Sequence, residues 1–262
     1  MKERFISAIV ALLITVPLIL LGNMYFNTLV IVLGLIAMYE LLKPKKNIPK
    51  TMRYISYVLF VMFLIFGYTF TGSIYIMNFT LLILAFMVMF LSLLYYHDNK
   101  KYCIDDVFYL LGSIIFLSAA FNLFIVIRNE GLLITLYLFL ITTMTDTFAY
   151  IIGSKIGKKK LLPTVSPKKS IEGFIGGLIC GSFIASIFYI LCISGDNIIN
   201  VIFVSIILSI IGQCGDLVFS QIKRHFGIKD YSNIMPGHGG VLDRLDSIIF
   251  VLFGYIILIT LI

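Results

Sequence analysis

The chain of 262 residues is 60% hydrophobic and only 13% charged, with a formal net charge of +7 and a mean hydropathy of +1.07. Soluble domains carry about 45–50% apolar and about 25% charged residues, and disordered chains are poor in hydrophobics, so the composition excludes both. The solvent that remains is a bilayer, and the sequence reads as an integral membrane protein.

Apolar runs of about 17–25 residues cross a bilayer as helices. Nine such runs follow one another, at roughly 5–22, 25–42, 54–71, 74–96, 107–127, 131–152, 171–193, 198–219 and 245–262. They lack the apolar–polar alternation of barrel strands, so the predicted fold is all-α with about nine transmembrane helices. The first run follows Met1-Lys2-Glu3-Arg4, has no small-x-small cleavage signal, and reads as an uncleaved span. Residues 1–130 form scaffold helices with little polar content beyond Asn122. Residues 131–262 carry the chemistry, within one continuous membrane domain.

Placing the N-terminus in the cytoplasm and the C-terminus outside puts nineteen of the twenty lysines and arginines on the cytoplasmic side, with Arg128 alone outside. This is the expected bias for cytoplasmic loops. The positive charge is thereby a matter of topology and of anionic headgroups, and no nucleic-acid partner is required. Cys103, Cys180, Cys192 and Cys214 form no C-x-x-C pair and read as small buried hydrophobes. No internal repeat of the kind that builds many transporters is visible.

A carboxylate deep in a bilayer costs about 2.5–3.5 kcal/mol on insertion scales, so each needs a reason: an interhelical hydrogen bond, an ion pair with a nearby lysine, or chemistry. Asp146 lies within the sixth run beside Thr142, Thr143, Thr147 and Tyr150. Asp216 lies near the cytoplasmic end of the eighth, with Ser220 and Lys223 one and two turns on. Glu40 and Glu172 sit at span ends, where snorkelling makes them cheap. The densest polar stretch, 216–246, also holds Arg224, Lys229, Asp230, His238, Asp243, Arg244 and Asp246. Asp243 and Asp246 share one helical face three residues apart. Capping a helix needs one carboxylate, so the pair invites a further role, and hard oxygens drawn from several helices suit Mg²⁺.

Pro236-Gly237-His238-Gly239-Gly240 lets backbone amides approach an oxyanion ahead of a helix. Upstream, the loop at 153–170 carries six lysines, which either only hold it on the cytoplasmic side or, at Ser166-Pro167-Lys168-Lys169-Ser170 ahead of a glycine-rich helix start, form a polyphosphate grip with each lysine as a point charge. The local chemistry points to acidic ligands, divalent metal and phosphate at the cytoplasmic membrane surface.

Ser220-Gln221-Ile222-Lys223-Arg224, Lys229-Asp230 and the run from Pro236 to Asp246 together resemble, without interruption over residues 220–246, the signature of the phosphatidate cytidylyltransferase (CDP-diacylglycerol synthase) family. Residues from about 145 to 215 resemble that family too. Phe219 stands where the family commonly has Glu, Met235 where it usually has Leu, Ile or Phe, and Ser170 where Thr is usual. The resemblance implies a nucleotidyltransferase of phospholipid biosynthesis that joins CTP and phosphatidic acid into CDP-diacylglycerol and pyrophosphate. It implies Mg²⁺, with a monovalent cation such as K⁺, a homodimer, and residence in the bacterial inner (plasma) membrane with the site facing the cytoplasm.

Under this reading Asp216, Asp243 and Asp246 bind metal, with Asp146 as a nearby metal or nucleotide contact. Lys223, Arg224, His238, Arg244 and the Gly239 and Gly240 amides hold phosphates, with Ser220, Lys229 and Asp230 in the same signature. Ser166, Lys168 and Lys169 grip CTP or the lipid headgroup. The rival expectations are a CTP-dependent lipid or polyprenol kinase and, in another class, an ion transporter with Asp146 and Asp216 on its pathway.

Overall fold

The computed structural model describes residues 2–71, 74–97, 102–193, 197–235, 237 and 239–261. Among these residues nine helices run in chain order: α1 (Lys2–Leu21), α2 (Asn23–Leu42), α3 (Lys50–Phe66), α4 (Phe79–Tyr95), α5 (Ile104–Glu130), α6 (Leu132–Ile156), α7 (Ile171–Cys192), α8 (Ile198–His225) and α9 (Leu242–Leu261). Two antiparallel hairpins interrupt them: β1 (Tyr68–Thr71) pairs with β2 (Ile74–Met77), and β3 (Lys160–Leu162) with β4 (Ser166–Ser170).

Five helices, α2 and α5 to α8, are long and apolar enough to cross a membrane, and Val10–Leu21 and Phe79–Tyr95 are shorter apolar helices. A helix is the natural form for such segments because it satisfies its backbone polar groups internally where water is absent. Side chains supply the starts. Asn78 accepts from the amides of Thr80 and Leu81 to open α4, Ser170 from Gly173 to open α7, and Asn197 from Ile199 to open α8.

The helices follow the predicted runs, with one departure. Residues 68–71 and 74–77, expected as the end of the third span and the start of the fourth, pair as β1 and β2. Their aromatic and β-branched residues suit a strand as well as hydropathy suits a span. Cys103, Cys192 and Cys214 are exposed and Cys180 is half-buried, so the expectation of buried thiols fails. Cys192 and Cys214 lie on helices apolar enough to cross a membrane, where burial in protein is not what keeps an apolar side chain from water.

The chain divides into two compact units, Met1–Val126 with Tyr231–Leu242, and Ile127–Asp230 with Asp243–Ile262. In the first, Phe60, Phe63, Phe121 and Met38 are fully buried, and Phe60 meets Phe121 edge to face. Its polar ties include Lys45 to Asp106 at 2.8 Å, Arg53 to the Lys45 carbonyl at 2.6 Å, and Asn122 to the Leu64 carbonyl at 2.8 Å.

The second unit is built on close helix contact. A Cβ on Gly177 would lie 2.6 Å from the Thr145 carbonyl oxygen, and one on Gly173 would lie 2.7 Å from that of Ala149. Only glycine lets α7 come this near α6, the small-residue device by which helices associate in lipid. Hydroxyl pairs then lock α6 to α8: Tyr137 with Ser205 at 2.8 Å and Thr145 with Ser209 at 2.9 Å.

Candidate active site

In the second unit, α8 and α9 approach at Gly215, where a Cβ would stand 2.7 Å from that of Phe250 and 2.9 Å from the Asp246 carbonyl oxygen. That contact brings Asp216 of α8 beside Asp246 of α9. Asp146 of α6 completes the group: the three carboxyl groups are near enough to repel one another electrostatically. Asp246 is buried, Asp216 half-buried and the Asp146 residue exposed. Ser247, directly after Asp246, is buried.

Cations answer this negative charge. Lys169 Nζ lies 2.6 Å from Asp216 Oδ2, and the Ser220 hydroxyl donates to Asp216 Oδ1 at 3.2 Å. Lys223, two turns along α8 from Asp216, reaches Asp243 Oδ1 at 2.7 Å, with both side chains almost covered. The acid-to-base stripe expected along α8 thus exists as two separate ion pairs.

Lys169 arrives on the β3–β4 hairpin, which shapes part of the loop expected at 153–170. Successive strand residues point to opposite faces. Lys169 therefore turns toward Asp216 while Lys168 is exposed, and Ser166 is half-buried. Glu172 holds the hairpin in place by accepting from the amides of Lys158 and Lys159 at 3.1–3.2 Å. Arg224 does similar work, donating to the carbonyls of Val165 and Ile228. Ser170 caps α7, a task for which its hydroxyl equals that of threonine. Phe219 is buried and meets Phe250 edge to face at 6.2 Å, so this position supplies core packing in place of a carboxylate.

Of the remaining expected site residues, Lys229, Asp230 and Arg244 are exposed. His238, with its neighbour Pro236, lies outside the described residues. Gly239 and Gly240 belong to the first unit, together with Tyr231 to Leu242. Gly237 and Gly239 have φ of 75° and 85°, a region open mainly to glycine, and the Met235 amide donates to the Gly239 carbonyl at 3.0 Å.

Sequence reasoning missed Glu40. Expected as a snorkelling span-end acid, it is completely buried, and its carboxylate accepts from the Ser232 hydroxyl and from the amides of Val241 and Leu242. Its place one residue after Tyr39, at the end of an apolar run, carries no signal of partners some 200 positions downstream.

Among the described residues, no three His, Cys, Asp or Glu side chains converge tightly enough to hold a metal ion as they stand. By donor type, Asp146, Asp216 and Asp246 suit a hard cation, being carboxylates from three helices with one lysine among them. Asp243 is engaged by Lys223.

The cytidylyltransferase family pattern matches residues 2–262. A protein of Staphylococcus haemolyticus named phosphatidate cytidylyltransferase is 40% identical over 256 residues, covering 96% of each chain. Proteins of the same name from Staphylococcus epidermidis and Staphylococcus aureus are 38% identical over 256 residues, with the same coverage.

Proposed function

The chain belongs to the cytidylyltransferase family, and we propose that it transfers CMP from CTP to phosphatidic acid, giving CDP-diacylglycerol and pyrophosphate. The observation that carries this reading is the three-helix carboxylate group of Asp146, Asp216 and Asp246 with Lys169 set against it.

The chemistry is a displacement at phosphorus. An oxygen of the lipid phosphate forms a bond to the α-phosphorus of CTP, and the bond from that phosphorus to the α–β bridging oxygen breaks. Its electron pair leaves with pyrophosphate. The lipid phosphate is already an anion, so little general-base help is needed. The barrier lies in bringing two polyanions together and in stabilising the leaving group. Mg²⁺, when bound, supplies charge neutralisation of the phosphates. In this reading Asp146, Asp216 and Asp246 hold it, with Asp243 at the edge of the set and K⁺ as a further counter-ion.

Lys169 stands at the carboxylates and is placed to meet phosphate. Lys168 and Ser166, one face over, grip CTP or the headgroup. The departing pyrophosphate is assigned to Arg244, with Lys223 adding charge from its pair with Asp243, and Arg224 keeps the β3–β4 hairpin seated while adding charge. By the family resemblance, phosphate binding is also assigned to His238 and to the Gly239 and Gly240 amides.

A nine-span topology belongs to this reading, with the N-terminus inside and the C-terminus outside. It is supported by the nine helices among the described residues and by the one-sided lysines. It puts the site at the cytoplasmic face of the inner membrane, where lipid tails stay in the bilayer and CTP arrives from water. A homodimer is part of the same proposal, carried by the family resemblance.

The test is product analysis of purified protein in lipid micelles with CTP, phosphatidic acid and Mg²⁺. CDP-diacylglycerol and pyrophosphate in equal amounts are expected. Release of CDP would indicate a lipid kinase, and consumption of neither substrate would favour a transporter.

A further inference from the structure

We infer that Glu40 is a positioning residue that clasps the two ends of the glycine-rich segment of the signature. The Ser232 hydroxyl donates to Oε1, the Val241 amide donates to the same oxygen at 2.9 Å, and the Leu242 amide donates to Oε2 at 2.8 Å. Ser232 precedes the glycines and Val241 follows them, so a single carboxylate ties both ends together. All of these residues lie in the first unit.

Burial makes the arrangement more than a convenience. A buried carboxylate is very costly unless each oxygen is satisfied, and here three donors satisfy the pair with charge-assisted bonds. Leu242 opens α9, so Glu40 also takes up amides at a helix start that has no partner within its own helix. A snorkelling acid would instead turn its carboxylate outward to water.

Gly240 adds an independent sign. A side chain there would collide with the Glu40 carboxylate. The glycine at 240 is accordingly required by Glu40 itself, whatever its amide does. Within the segment Gly237 and Gly239 are left-handed and Met235 bridges to Gly239, while Glu40 holds the flanking Ser232 and Val241. Glu40 touches no substrate in this scheme. It sets the conformation of amides that do.

This inference rests on the proposed phosphate-binding role of the turn, and the experiment separates the two. Glu40→Gln replaces an acceptor with an NH₂ group facing amide donors, and Ser232→Ala removes one donor without touching charge. Each variant is purified by gel filtration in detergent, and steady-state kinetics are measured in CTP. Backbone hydrogen exchange over residues 231–242 is measured without substrate. Glu40→Gln should raise the KM for CTP about tenfold or more with kcat changed far less, the pattern of a lost binding conformation. Exchange in 231–242 should quicken while α6 and α7 are unchanged. Ser232→Ala should shift both readouts in the same direction by a smaller factor, and it carries the test if Glu40→Gln does not fold. Wild-type exchange and wild-type KM in the folded variant would overturn the clasp. Faster exchange with a wild-type KM would overturn the coupling of the clasp to CTP.

Discussion

Lys169 Nζ and Asp216 Oδ2 lie 2.6 Å apart, although one sits on a short strand and the other on a helix 47 residues further along. The strand matters because it fixes which of two adjacent lysines faces the carboxylates. The ion pair is partly exposed, so its worth to stability is small, about 0–1 kcal/mol. Its significance lies in the charge it places at the site.

Lys168 and Lys169 should therefore behave differently. Lys169→Ala should cut kcat/KM by about a hundredfold and alter the Mg²⁺ concentration needed for half-maximal rate, because Asp216 loses its counter-charge. Lys168→Ala should raise only a KM, by less than about tenfold. Steady-state kinetics in CTP, lipid mole fraction and Mg²⁺ provide the check. Equal effects of the two substitutions would remove the strand-face argument.

Asp146→Asn, Asp216→Asn and Asp246→Asn retain shape and remove charge. Each should lower turnover by at least about a hundredfold and weaken Mn²⁺ binding, read by electron paramagnetic resonance independently of activity. Undiminished Mn²⁺ binding in any one variant would remove that residue from the metal set.

The Lys223–Asp243 pair is nearly covered, with side-chain exposures of 10% and 6%. Removing one partner takes the closest counter-charge from a nearly covered group, a loss of up to about 3–5 kcal/mol. Lys223→Met and Asp243→Leu should each lower the Tm in detergent, and the double substitution should recover most of the loss. Failure of the double variant to recover would mean that each group has a separate essential partner.

Gly177 should tolerate no side chain. Its Cβ would press on the Thr145 carbonyl at 2.6 Å, and Gly177→Ala should force α6 and α7 apart at a cost of about 1–3 kcal/mol. A Tm equal to that of the wild type would show that the two helices are held less closely.

The helices were legible because hydropathy over a span is a sum of many agreeing residues, and local errors cancel. The strands at 68–71 and 74–77 were not, because Tyr, Phe, Thr and Ile satisfy both a span end and a strand. The carboxylates at 146 and 216 stood out in sequence as charges within spans, and Asp246 as the second acid of a pair at a helix start. Which cation each meets was hidden. The i+4 and i+7 spacing pointed from Asp216 to Ser220 and Lys223, and the first contact forms, whereas Lys223 turns to Asp243. Glu40 was illegible for a different reason: its partners are fixed by tertiary structure, and a single acid at a span end looks the same whether it faces water or a buried turn.

The most direct test of the central claim follows the fate of each phosphate of CTP. Purified protein in mixed micelles is given phosphatidic acid, Mg²⁺ and CTP labelled with ³²P at either the α or the γ position. The account predicts that α label enters the lipid as CDP-diacylglycerol and γ label leaves as pyrophosphate. Gamma label in the lipid, with CDP released, would contradict it and make the protein a kinase.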